Sequence, residues 1–374
     1  MSNLKVLFVD TCHDVAGGQR SLIALLSNVN NKFKYNVMIH NGNKKYLNEL
    51  LANGVPRENI ILINTKPLGL KILGGVKLFF KCMTLAKKYS LMHCNTFFDG
   101  LFAMPSFRLQ AKKTIFRARC GIDLSNHGIV DNVIYHNASV ILANSEYVKT
   151  TFSRINSNLA KIDVIYNPLD LKFYREFKNI TNEKKKIIAV IGAITEVKNQ
   201  MEVLKAFSLI NNENIFLRFI GEPRSTDKDR LYNDELMSFI KKHNLENRIE
   251  FSGFVSDVRT QLQDVDLVCV PSDREPLGRV IFETQLFNIP VLASNSGGNG
   301  ELIIDGKTGY LYELGNIDQL KEKMLKVNSP NEKLINDAQK FVLERFSPDN
   351  TYLAEFEIMK DFLDKDYLKN ADSK

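Results

Sequence analysis

The sequence has no apolar run that approaches the length needed to span a bilayer, and its first residues, MSNLKVLFVD, lack the layout of a secretory signal peptide. We therefore expect the protein to be made and to remain in the cytoplasm. Its five cysteines are odd in number and include no Cys-x-x-Cys pair, which argues against both disulfides and a structural zinc site. Cys269, inside the apolar run DLVCV, is expected to be a reduced thiol in a core.

Two common nucleotide-binding motifs are also missing. No Gly-x-Gly-x-x-Gly follows a predicted strand in the second half, which argues against a dinucleotide-dependent dehydrogenase, and the absence of Gly-x4-Gly-Lys-[Ser/Thr] disfavours a P-loop NTPase. No aromatic-basic stacking motif or helix-turn-helix pattern is apparent. Nucleic acid is therefore not an expected partner.

What the sequence does contain is a repeated alternation of short apolar runs and helical stretches. Runs such as LKVLFVD, YNVMIH and KIIAVIG are short and mainly apolar, as expected for strands of a parallel sheet that is covered on both faces. A chain of 374 residues suits two domains of average size. We expect an α/β protein with two doubly wound, Rossmann-like domains that face each other across a cleft.

A proline and a charged, polar run interrupt this alternation in the segment VIYNPLDLKFYREFKNITNEKKK. We place the domain boundary there, between an N-terminal domain at residues 1–172 and a C-terminal domain at residues 183–347. The last stretch, residues 348–374, carries apolar residues at helical spacing. It is predicted to form a helix that crosses back and packs towards the N-terminal domain.

The net charge of +7 is unevenly distributed along the chain. Lys and Arg outnumber Asp and Glu by 12 in residues 1–172, whereas the rest of the chain has a net charge of −5. This asymmetry indicates that the first half meets an anionic partner. A helix with Lys77, Lys81 and Lys88 near one face offers contact with an anionic membrane surface. The preferred interpretation is a packed helix with a solvated lysine face, whose other face carries Val76, Phe79, Phe80 and Met83.

The most informative segment is DREPLGRVIFETQLFNIPVLASNSGGNGELIIDGKTG, residues 273–309. Glu275 follows a predicted strand, and Pro276 suits the start of a helix whose amino end offers N–H groups and a positive dipole to a phosphate. Glu283 lies farther along that helix, and its carboxylate suits the two hydroxyls of a ribose. From these residues alone, a catalytic acid pair, a sugar-binding site and ordinary surface charge all remain open.

The flanking residues carry a family resemblance. EPLGRVIFE, PVLAS, GGNGE and DGKTGYL together resemble the retaining glycosyltransferases of family 4, which have the GT-B fold, and GGQRSLIALL, ANSEYVK, VIYNPLD and GAITEVKNQ extend the resemblance over most of the chain. The resemblance implies a nucleotide-sugar donor, with UDP or GDP as the nucleotide. It also implies catalysis without a cofactor or a metal, and no Asp-x-Asp arrangement in a suitable loop contradicts this.

The resemblance further implies roles for individual residues. Glu275 would contact the hydroxyls of the transferred sugar, Glu283 would hold the ribose, and Lys198 would neutralise the diphosphate; Glu275, Lys198 and Arg119 are the catalytic candidates. The other donor-binding candidates are Gly17 and Gly18 beside the diphosphate, Phe254 and Val255 beside the base, Leu277, Gly278 and Arg279 at the helix start, and Gly297, Gly298 and Asn299 around the sugar. The acceptor-binding candidates are His13, His93, Asn95, Arg117 and Arg119.

Two positions depart from the family pattern. Where the family usually carries an Arg in a Gly-Arg-Leu pattern, this chain has Ala193, and Arg279 or Arg224 are the candidate replacements. Where relatives often carry a His, the segment KTIFRARCGIDL offers Arg117 and Arg119 instead. Activation of the acceptor is the step that these departures affect most.

We therefore expect a retaining, metal-independent glycosyltransferase that moves a sugar from a UDP- or GDP-sugar to a cell-surface glycan acceptor. A lipid-linked oligosaccharide, O-antigen, capsule or lipopolysaccharide would be that acceptor, met in the cytoplasm or peripherally on the inner face of the membrane. One alternative is a nucleotide-sugar epimerase of GT-B fold, which would need no acceptor. The other is an inert glycan-binding or scaffold subunit, which the missing Arg and His keep open.

Overall fold

A computed structural model describes residues 5–15, 17–29, 33–65, 71–119, 129–153, 162–169, 185–255, 257–329 and 331–371. The chain forms two compact units. The first comprises Met1–Pro168 together with Pro348–Lys374, and the second comprises Leu169–Ser347. Each unit contains one parallel sheet with helices on both faces.

The sheet of the first unit has seven strands in the order β3-β2-β1-β4-β5-β6-β7, and all neighbours are parallel. Most of their residues are buried, because helices cover both faces. The sequence predicts the first six strands but not the short β7. The strands are β1 (Lys5–Asp10), β2 (Lys34–His40), β3 (Ile60–Ile63), β4 (Leu91–Cys94), β5 (Lys113–Ala118), β6 (Val140–Ala143) and β7 (Ile162–Val164).

The sheet of the second unit has six parallel strands in the order β10-β9-β8-β11-β12-β13. The fold class predicted from the sequence is thereby confirmed, since both sheets are parallel and doubly wound. Only the three-residue edge strand β13 was not anticipated. The strands are β8 (Lys186–Ile191), β9 (Ile215–Ile220), β10 (Ile249–Gly253), β11 (Leu267–Val270), β12 (Val291–Ser294) and β13 (Tyr310–Tyr312).

Helices connect successive strands in both units. The first unit contains α1 (Gly17–Val29), α2 (Lys44–Ala52), α3 (Lys71–Leu85), α4 (Phe97–Arg108), α5 (Ile129–Asn137) and α6 (Glu146–Ser153). The second unit contains α7 (Gln200–Ser208), α8 (Asp227–Lys242), α9 (Arg259–Leu262), α10 (Arg279–Leu286), α11 (Ile317–Met324) and α12 (Glu332–Phe346). No helix in the described part of the chain is both long and apolar enough to cross a membrane.

The strand order reverses direction at one point in each sheet. This switch point lies between β1 and β4 in the first unit, and between β8 and β11 in the second. In doubly wound sheets, the connections on either side of such a point lead to opposite faces and leave a crevice at the carboxyl ends of the two strands, where ligands bind. The two switch points therefore define where functional side chains are to be sought.

The last helix, α13 (Pro348–Ala371), packs on the first unit. Tyr352, Met359 and Leu363 are buried in the core on the side of the sheet that also carries α1 and α2, and the ring of Phe356 stacks on Phe33 at 5.6 Å. The chain thus returns to its first unit after completing the second.

Candidate functional site

The switch point of the second unit brings Lys198 and Glu275 together. Lys198 ends a short 3₁₀ helix, Glu196–Lys198, in the connection that follows β8, and Glu275 lies in the connection that follows β11. The Nζ atom of Lys198 lies 2.5 Å from Oε2 of Glu275, and both side chains remain partly exposed. A cation and a carboxylate therefore stand side by side at the position where this kind of sheet binds ligands.

Two glycines with positive φ lie in the connections next to Lys198. Gly192, directly after β8, has φ +139°, and a Cβ there would lie 3.6 Å from Cε of Lys198. Gly221, directly after β9, has φ +149°, and a Cβ there would overlap the carbonyl oxygen of Gly192 at 2.1 Å. The two connections can approach each other this closely only because Gly221 has no side chain, whereas the positive φ of Gly192 requires a glycine there.

A buried carboxylate, Glu202 on α7, secures the connection that carries Lys198. It accepts hydrogen bonds from the side-chain amide of Asn199, from the Tyr312 hydroxyl at 3.3 Å and from the backbone N–H of Gly315 at 2.5 Å. Asn199 itself is in the left-handed region at φ +52°. Sequence reasoning did not single out Glu202, because Tyr312 and Gly315 are more than a hundred residues away along the chain.

The Gly-Gly loop packs directly on the backbone of Glu275. Gly297 has φ +64°, and a Cβ there would lie 2.3 Å from the carbonyl oxygen of Glu275, while a Cβ at Gly298 would lie 2.4 Å from that of Pro276. The N–H of Gly298 donates to the Glu275 carbonyl at 2.7 Å. The resemblance implied that the amides of this loop bind the sugar; the amide of Gly298 instead has an acceptor within the protein.

The amino end of α10 is built from small and buried residues. Gly278 precedes the helix without a side-chain cap, and Leu277 is buried. Asn299 is fully buried and donates to Ser294 Oγ at 3.2 Å, and a Cβ at Gly278 would lie 2.8 Å from its Oδ1 atom. Two backbone N–H groups of the first turn have acceptors within the protein, since that of Arg279 donates to the Leu277 carbonyl at 2.9 Å and that of Ile281 to the Gly278 carbonyl at 2.8 Å.

Arg279 and Glu283 form an ion pair on the first turns of α10. The Arg279 guanidinium donates to Oε1 of Glu283 through Nη2 at 2.8 Å and through Nε at 3.1 Å. Arg279 was one candidate to replace the cation missing at Ala193, and in this structure it is paired with Glu283. The other candidate, Arg224, is exposed in the connection after β9.

Phe254 and Val255 directly follow β10, at the carboxyl end of that strand. The Phe254 ring is exposed, and the preceding Gly253 has φ +67°. The strand order places β10 two strands away from β8. The exposed ring therefore lies on the same edge of the sheet as Lys198 and Glu275.

The switch point of the first unit contains a buried carboxylate, Asp10, at the end of β1. It accepts hydrogen bonds from the side-chain amides of Asn95 at 2.6 Å and Gln19 at 3.0 Å, and from the Tyr46 hydroxyl at 3.2 Å. Burial raises the pKa of Asp10, although the two amide hydrogen bonds act in the opposite direction. Sequence reasoning missed Asp10, because an acidic residue at a strand end belongs to no motif.

Asn95 connects Asp10 to Arg119 and to the glycine turn. Its Oδ1 atom accepts from Nε of Arg119 at 3.0 Å, and its amide nitrogen also approaches the carbonyl oxygen of Gly18 at 3.3 Å. Nη1 of Arg119 donates to Asn167 Oδ1 at 2.8 Å, and a Cβ at Gly18 would lie 3.2 Å from Cδ of Arg119. Gly17 begins α1 beside this cluster. Asn95, Arg119, Gly17 and Gly18 are therefore neighbours.

A second buried carboxylate, Asp99, lies beneath this cluster. It accepts from the hydroxyls of Thr11 at 2.7 Å and Thr96 at 2.6 Å. Burial, together with the nearby charge of Asp10, raises the pKa of Asp99 to about 7. These contacts tie the connection after β1 to the start of α4.

His93 and Arg117, two acceptor-binding candidates, lie in the core. Nε2 of His93 donates to Oε1 of Glu355 at 2.8 Å, and Nη2 of Arg117 donates to the carbonyl oxygen of Ile165 at 2.6 Å. Arg117 and Glu355 also form a buried ion pair at 3.8 Å. Both side chains thus anchor α13, and burial removes them from contact with a solvent-borne acceptor.

His13, the remaining acceptor-binding candidate, is exposed at the edge of the first unit's switch point. Its ring meets the ring of His40 edge-on, with centroids 4.1 Å apart. His40 is buried and its Nδ1 atom lies 3.1 Å from Thr65 Oγ1. His13 is therefore held on one side by a fixed neighbour while its other side remains exposed to solvent.

Comparisons with known proteins identify relatives of this chain. Residues 174–341 match the family model described as Glycosyl transferases group 1. Spore coat protein SA of Bacillus subtilis is 30% identical over 52% of this chain and 56% of that protein. The capsular polysaccharide biosynthesis glycosyltransferase CapM of Staphylococcus aureus is 25% identical over 56% of this chain and 55% of that protein. The chain thus spans little more than half the length of these relatives.

The fold is also that of a solved structure. HepE of Anabaena in complex with UDP-glucose superposes with a TM-score of 0.80 over 96% of this chain and 100% of that chain, at 21% identity. This likeness shows that the two parallel-sheet units form a GT-B fold.

Proposed function

We propose that this chain, whose residues 174–341 match the Glycosyl transferases group 1 family model, is a retaining glycosyltransferase that transfers a sugar from a UDP-sugar to a cell-surface glycan. The observation that carries this proposal is the Lys198–Glu275 pair at the switch point between β8 and β11. A diphosphate needs a cation and a sugar needs an acceptor for its hydroxyls. The chain supplies both at the crevice where doubly wound sheets hold nucleotides.

The proposed reaction breaks the bond between the sugar's anomeric carbon and the diphosphate oxygen. The diphosphate leaves with the electron pair, an oxygen of the acceptor hydroxyl bonds to the anomeric carbon, and the hydroxyl proton passes to the leaving phosphate. Positive charge develops on the sugar ring and negative charge on the departing oxygen, as in glycoside hydrolysis. Lys198 and the positive dipole at the amino end of α10 stabilise the departing charge, because they are in place before it develops.

Two ion pairs of the second unit, Lys198–Glu275 and Arg279–Glu283, are exchanged when the donor binds. The diphosphate replaces Glu275 as the partner of Lys198, and the sugar hydroxyls replace Lys198 as partners of Glu275. In the same way, the ribose hydroxyls donate hydrogen bonds to the carboxylate of Glu283, which Arg279 binds in the absence of a donor. Each carboxylate has two acceptor oxygens and can therefore accept hydrogen bonds from two hydroxyls at once.

UDP is the nucleotide that we propose, because HepE, a protein of the same fold, was solved with UDP-glucose. The positive charge of Lys198 and of the α10 amino end makes a metal unnecessary for diphosphate departure. The acceptor is proposed to be lipid-linked or phosphorylated, since the first 172 residues carry an excess of 12 positive charges. Capsule biosynthesis, the process named for CapM, is the kind of pathway that such an acceptor serves.

Differential scanning fluorimetry with UDP, GDP and UDP-sugars, with and without EDTA, tests the donor site. A donor at about 100 times its Kd stabilises the folded state by about 2.7 kcal/mol, so a clear rise in Tm with UDP is expected in both buffers. Lys198→Ala is expected to remove most of that rise. Lys228→Ala is the matched control, because it breaks an exposed ion pair with Glu196 in the same unit.

The result also separates this proposal from its alternatives. No rise in Tm with any nucleotide would identify an inert subunit. A rise in Tm together with conversion of one UDP-sugar into another, in the absence of any acceptor, would identify an epimerase. Loss of the UDP response in EDTA would contradict metal-independent binding.

A further inference from the structure

Helix α3 of the first unit presents a stripe of large apolar residues to solvent. Ile72, Leu73, Val76 and Phe80 have exposed fractions of 64%, 54%, 41% and 63%. Their spacing places them along one side of the helix, within about 100° of its circumference. The sequence favoured a packed helix with a solvated lysine face; the lysines are exposed and Phe79 and Met83 are partly buried, but the exposure of Val76 and Phe80 was not predicted. Isolated exposed apolar residues are ordinary, whereas a continuous stripe indicates a surface that is covered in use.

The orientation of α3 is fixed by its opposite side. Leu78, Cys82 and Ala86 are fully buried in the core beneath the helix. At Gly75 a Cβ would lie 2.5 Å from the ring of Phe102 on α4, so the two helices are in close contact at this glycine. These contacts fix the rotation of α3, so the stripe faces outward. Rotating the helix to bury the stripe would expose Leu78, Cys82 and Ala86.

The charges around the stripe all have one sign. Residues 71–113 contain eight Lys and Arg residues but a single acid, Asp99, which is fully buried. Lys77 and Lys81 are exposed, and they lie about 40° and about 80° beyond the edge of the stripe around the helix axis. The two lysines therefore flank the stripe. Lys87 and Lys88 are also exposed at its carboxyl end.

This pattern selects one kind of partner. An apolar strip flanked by lysines matches the boundary between acyl chains and anionic headgroups, where the apolar residues enter the boundary and the lysines meet phosphates. A second copy of the same face would instead bring its own lysines against these lysines. We propose that the α3 stripe docks on an anionic lipid surface.

The position of α3 in the fold determines which side of the first unit would face the lipid surface. The chain leaves β3 at the carboxyl edge of the sheet and enters β4 at the opposite edge, so the 15-residue helix runs from one edge to the other. Its amino end, with Ile72 and Leu73, lies towards the edge that carries Asn95 and Arg119. If the proposed function holds, on which this step alone rests, docking brings the acceptor side of the first unit to the surface in which a lipid-linked acceptor is anchored.

Co-sedimentation of the full chain with vesicles tests the docking. Vesicles of phosphatidylglycerol and phosphatidylcholine are compared with vesicles of phosphatidylcholine alone, at low and high salt. The chain is expected to bind the anionic vesicles and to be released by salt, because the lysine contribution is screened within a Debye length. Absence of binding to the anionic vesicles, or equal binding to both kinds, would overturn the proposal.

Three variants locate the surface. Phe80→Asp is expected to weaken binding at least about tenfold, and Lys77→Glu with Lys81→Glu by about tenfold or more at low salt with little remaining salt dependence. Leu231→Asp is the matched control, since Leu231 is also 64% exposed but lies on α8 in the second unit. An equal loss of binding in Leu231→Asp would reject α3 as the surface.

Two further measurements distinguish lost docking from lost folding and from self-association. Each variant must keep the Tm of the parent protein and its response to UDP, so that lost vesicle binding is not lost folding. Failure of the UDP response in the parent would reject the proposed function while leaving vesicle binding as the test of the surface. Concentration-dependent self-association in sedimentation velocity that Phe80→Asp abolishes, without vesicle binding, would assign the stripe to a second copy and overturn the proposal.

Discussion

The Nζ atom of Lys198 lies 2.5 Å from Oε2 of Glu275, although 77 residues separate the two along the chain. The contact exists because β8 and β11 are neighbours in the sheet, so that the connections after them meet. Each side chain holds the other in place until a ligand replaces it. Substitutions at this pair and in its surroundings are therefore expected to have separable effects.

Replacing Glu275 is expected to change the rate of sugar transfer, whereas replacing Lys198 is expected to change the affinity for UDP. Glu275→Gln keeps the size of the side chain but removes its charge, so kcat for sugar transfer is expected to fall about 100- to 1,000-fold. Its UDP affinity should be equal or higher, because Lys198 no longer has a competing partner. Lys198→Met is expected to weaken UDP binding at least about tenfold, measured by calorimetry. Equal effects of both variants on UDP affinity would contradict this division of roles.

The Gly-Gly loop gives a second prediction. Gly297→Ala places a methyl group 2.3 Å from the Glu275 carbonyl oxygen, so the backbone of Glu275 must shift. Sugar transfer is expected to fall at least about tenfold, with a loss of about 1–3 kcal/mol in the free energy of unfolding.

Gly306→Ala is the control for this variant. Gly306 has a similar φ of +73°, but a Cβ there has no neighbour within 4 Å. Urea unfolding should show a loss of about 1 kcal/mol for Gly306→Ala, from backbone strain only, with sugar transfer unchanged. Full activity in Gly297→Ala would show that the loop does not position Glu275.

The buried Asp10 is expected to position Arg119 through Asn95. Asp10→Asn places an amide group opposite the amides of Asn95 and Gln19, so at least one of these hydrogen bonds is lost. The KM for the acceptor is expected to rise more than the KM for the donor, because Arg119 lies in the first unit. Steady-state kinetics with each substrate varied in turn distinguishes this from a general loss of folding, which would lower the active fraction alone. Asp163→Asn, at an exposed position on β7, is the control.

The pair formed by Glu355 and Arg117 predicts a pH dependence of stability. Burial alone would raise the pKa of Glu355, but the Arg117 charge and the hydrogen bond from His93 outweigh burial and lower the pKa from 4.5 to about 2. Because the folded-state pKa is the lower one, the stabilisation is complete above about pH 4.5 and is lost as the pH falls towards 2. The loss over that window is about 3 kcal/mol.

Glu355→Gln tests this directly. At neutral pH the variant leaves Arg117 buried without its anionic partner, so urea unfolding should show a loss of about 3 kcal/mol or more. The difference from the parent protein is expected to shrink as the pH falls below about 4.5, since the parent then protonates Glu355. A difference that stays constant down to the lowest pH at which the protein folds would contradict the assigned pKa.

The sequence predicted the fold class well and singled out Lys198 and Glu275, because both depend on local patterns, but it did not predict that these two side chains pair. Continuous apolar runs predict buried parallel strands, and the residues around Glu275 and Lys198 form short, recognisable motifs. Three-residue strands such as β13 carry too little periodicity to be found. The sequence also did not predict the burial of His93, since its partner Glu355 lies 262 residues away.

Exposure was the property that the sequence predicted least well. Val76 and Phe80 follow the spacing of a packed face, but the packing of Gly75 against Phe102 and the burial of Leu78 show that another side of α3 turns inward. Asp10 presents the opposite case, a charged residue that is completely buried because three donors surround it. Both depend on neighbours that are distant in sequence.

The seating of α13 on the first unit has a consequence for synthesis on the ribosome. When the first 168 residues have emerged, Arg117 and His93 still lack Glu355, and the groove that receives Tyr352 and Met359 is open. The second unit has all of its own residues before that groove is filled. Translation therefore finishes the second unit first, and the first unit must wait for its last helix with an apolar surface exposed, which makes it the part of the nascent chain that a chaperone would be expected to protect.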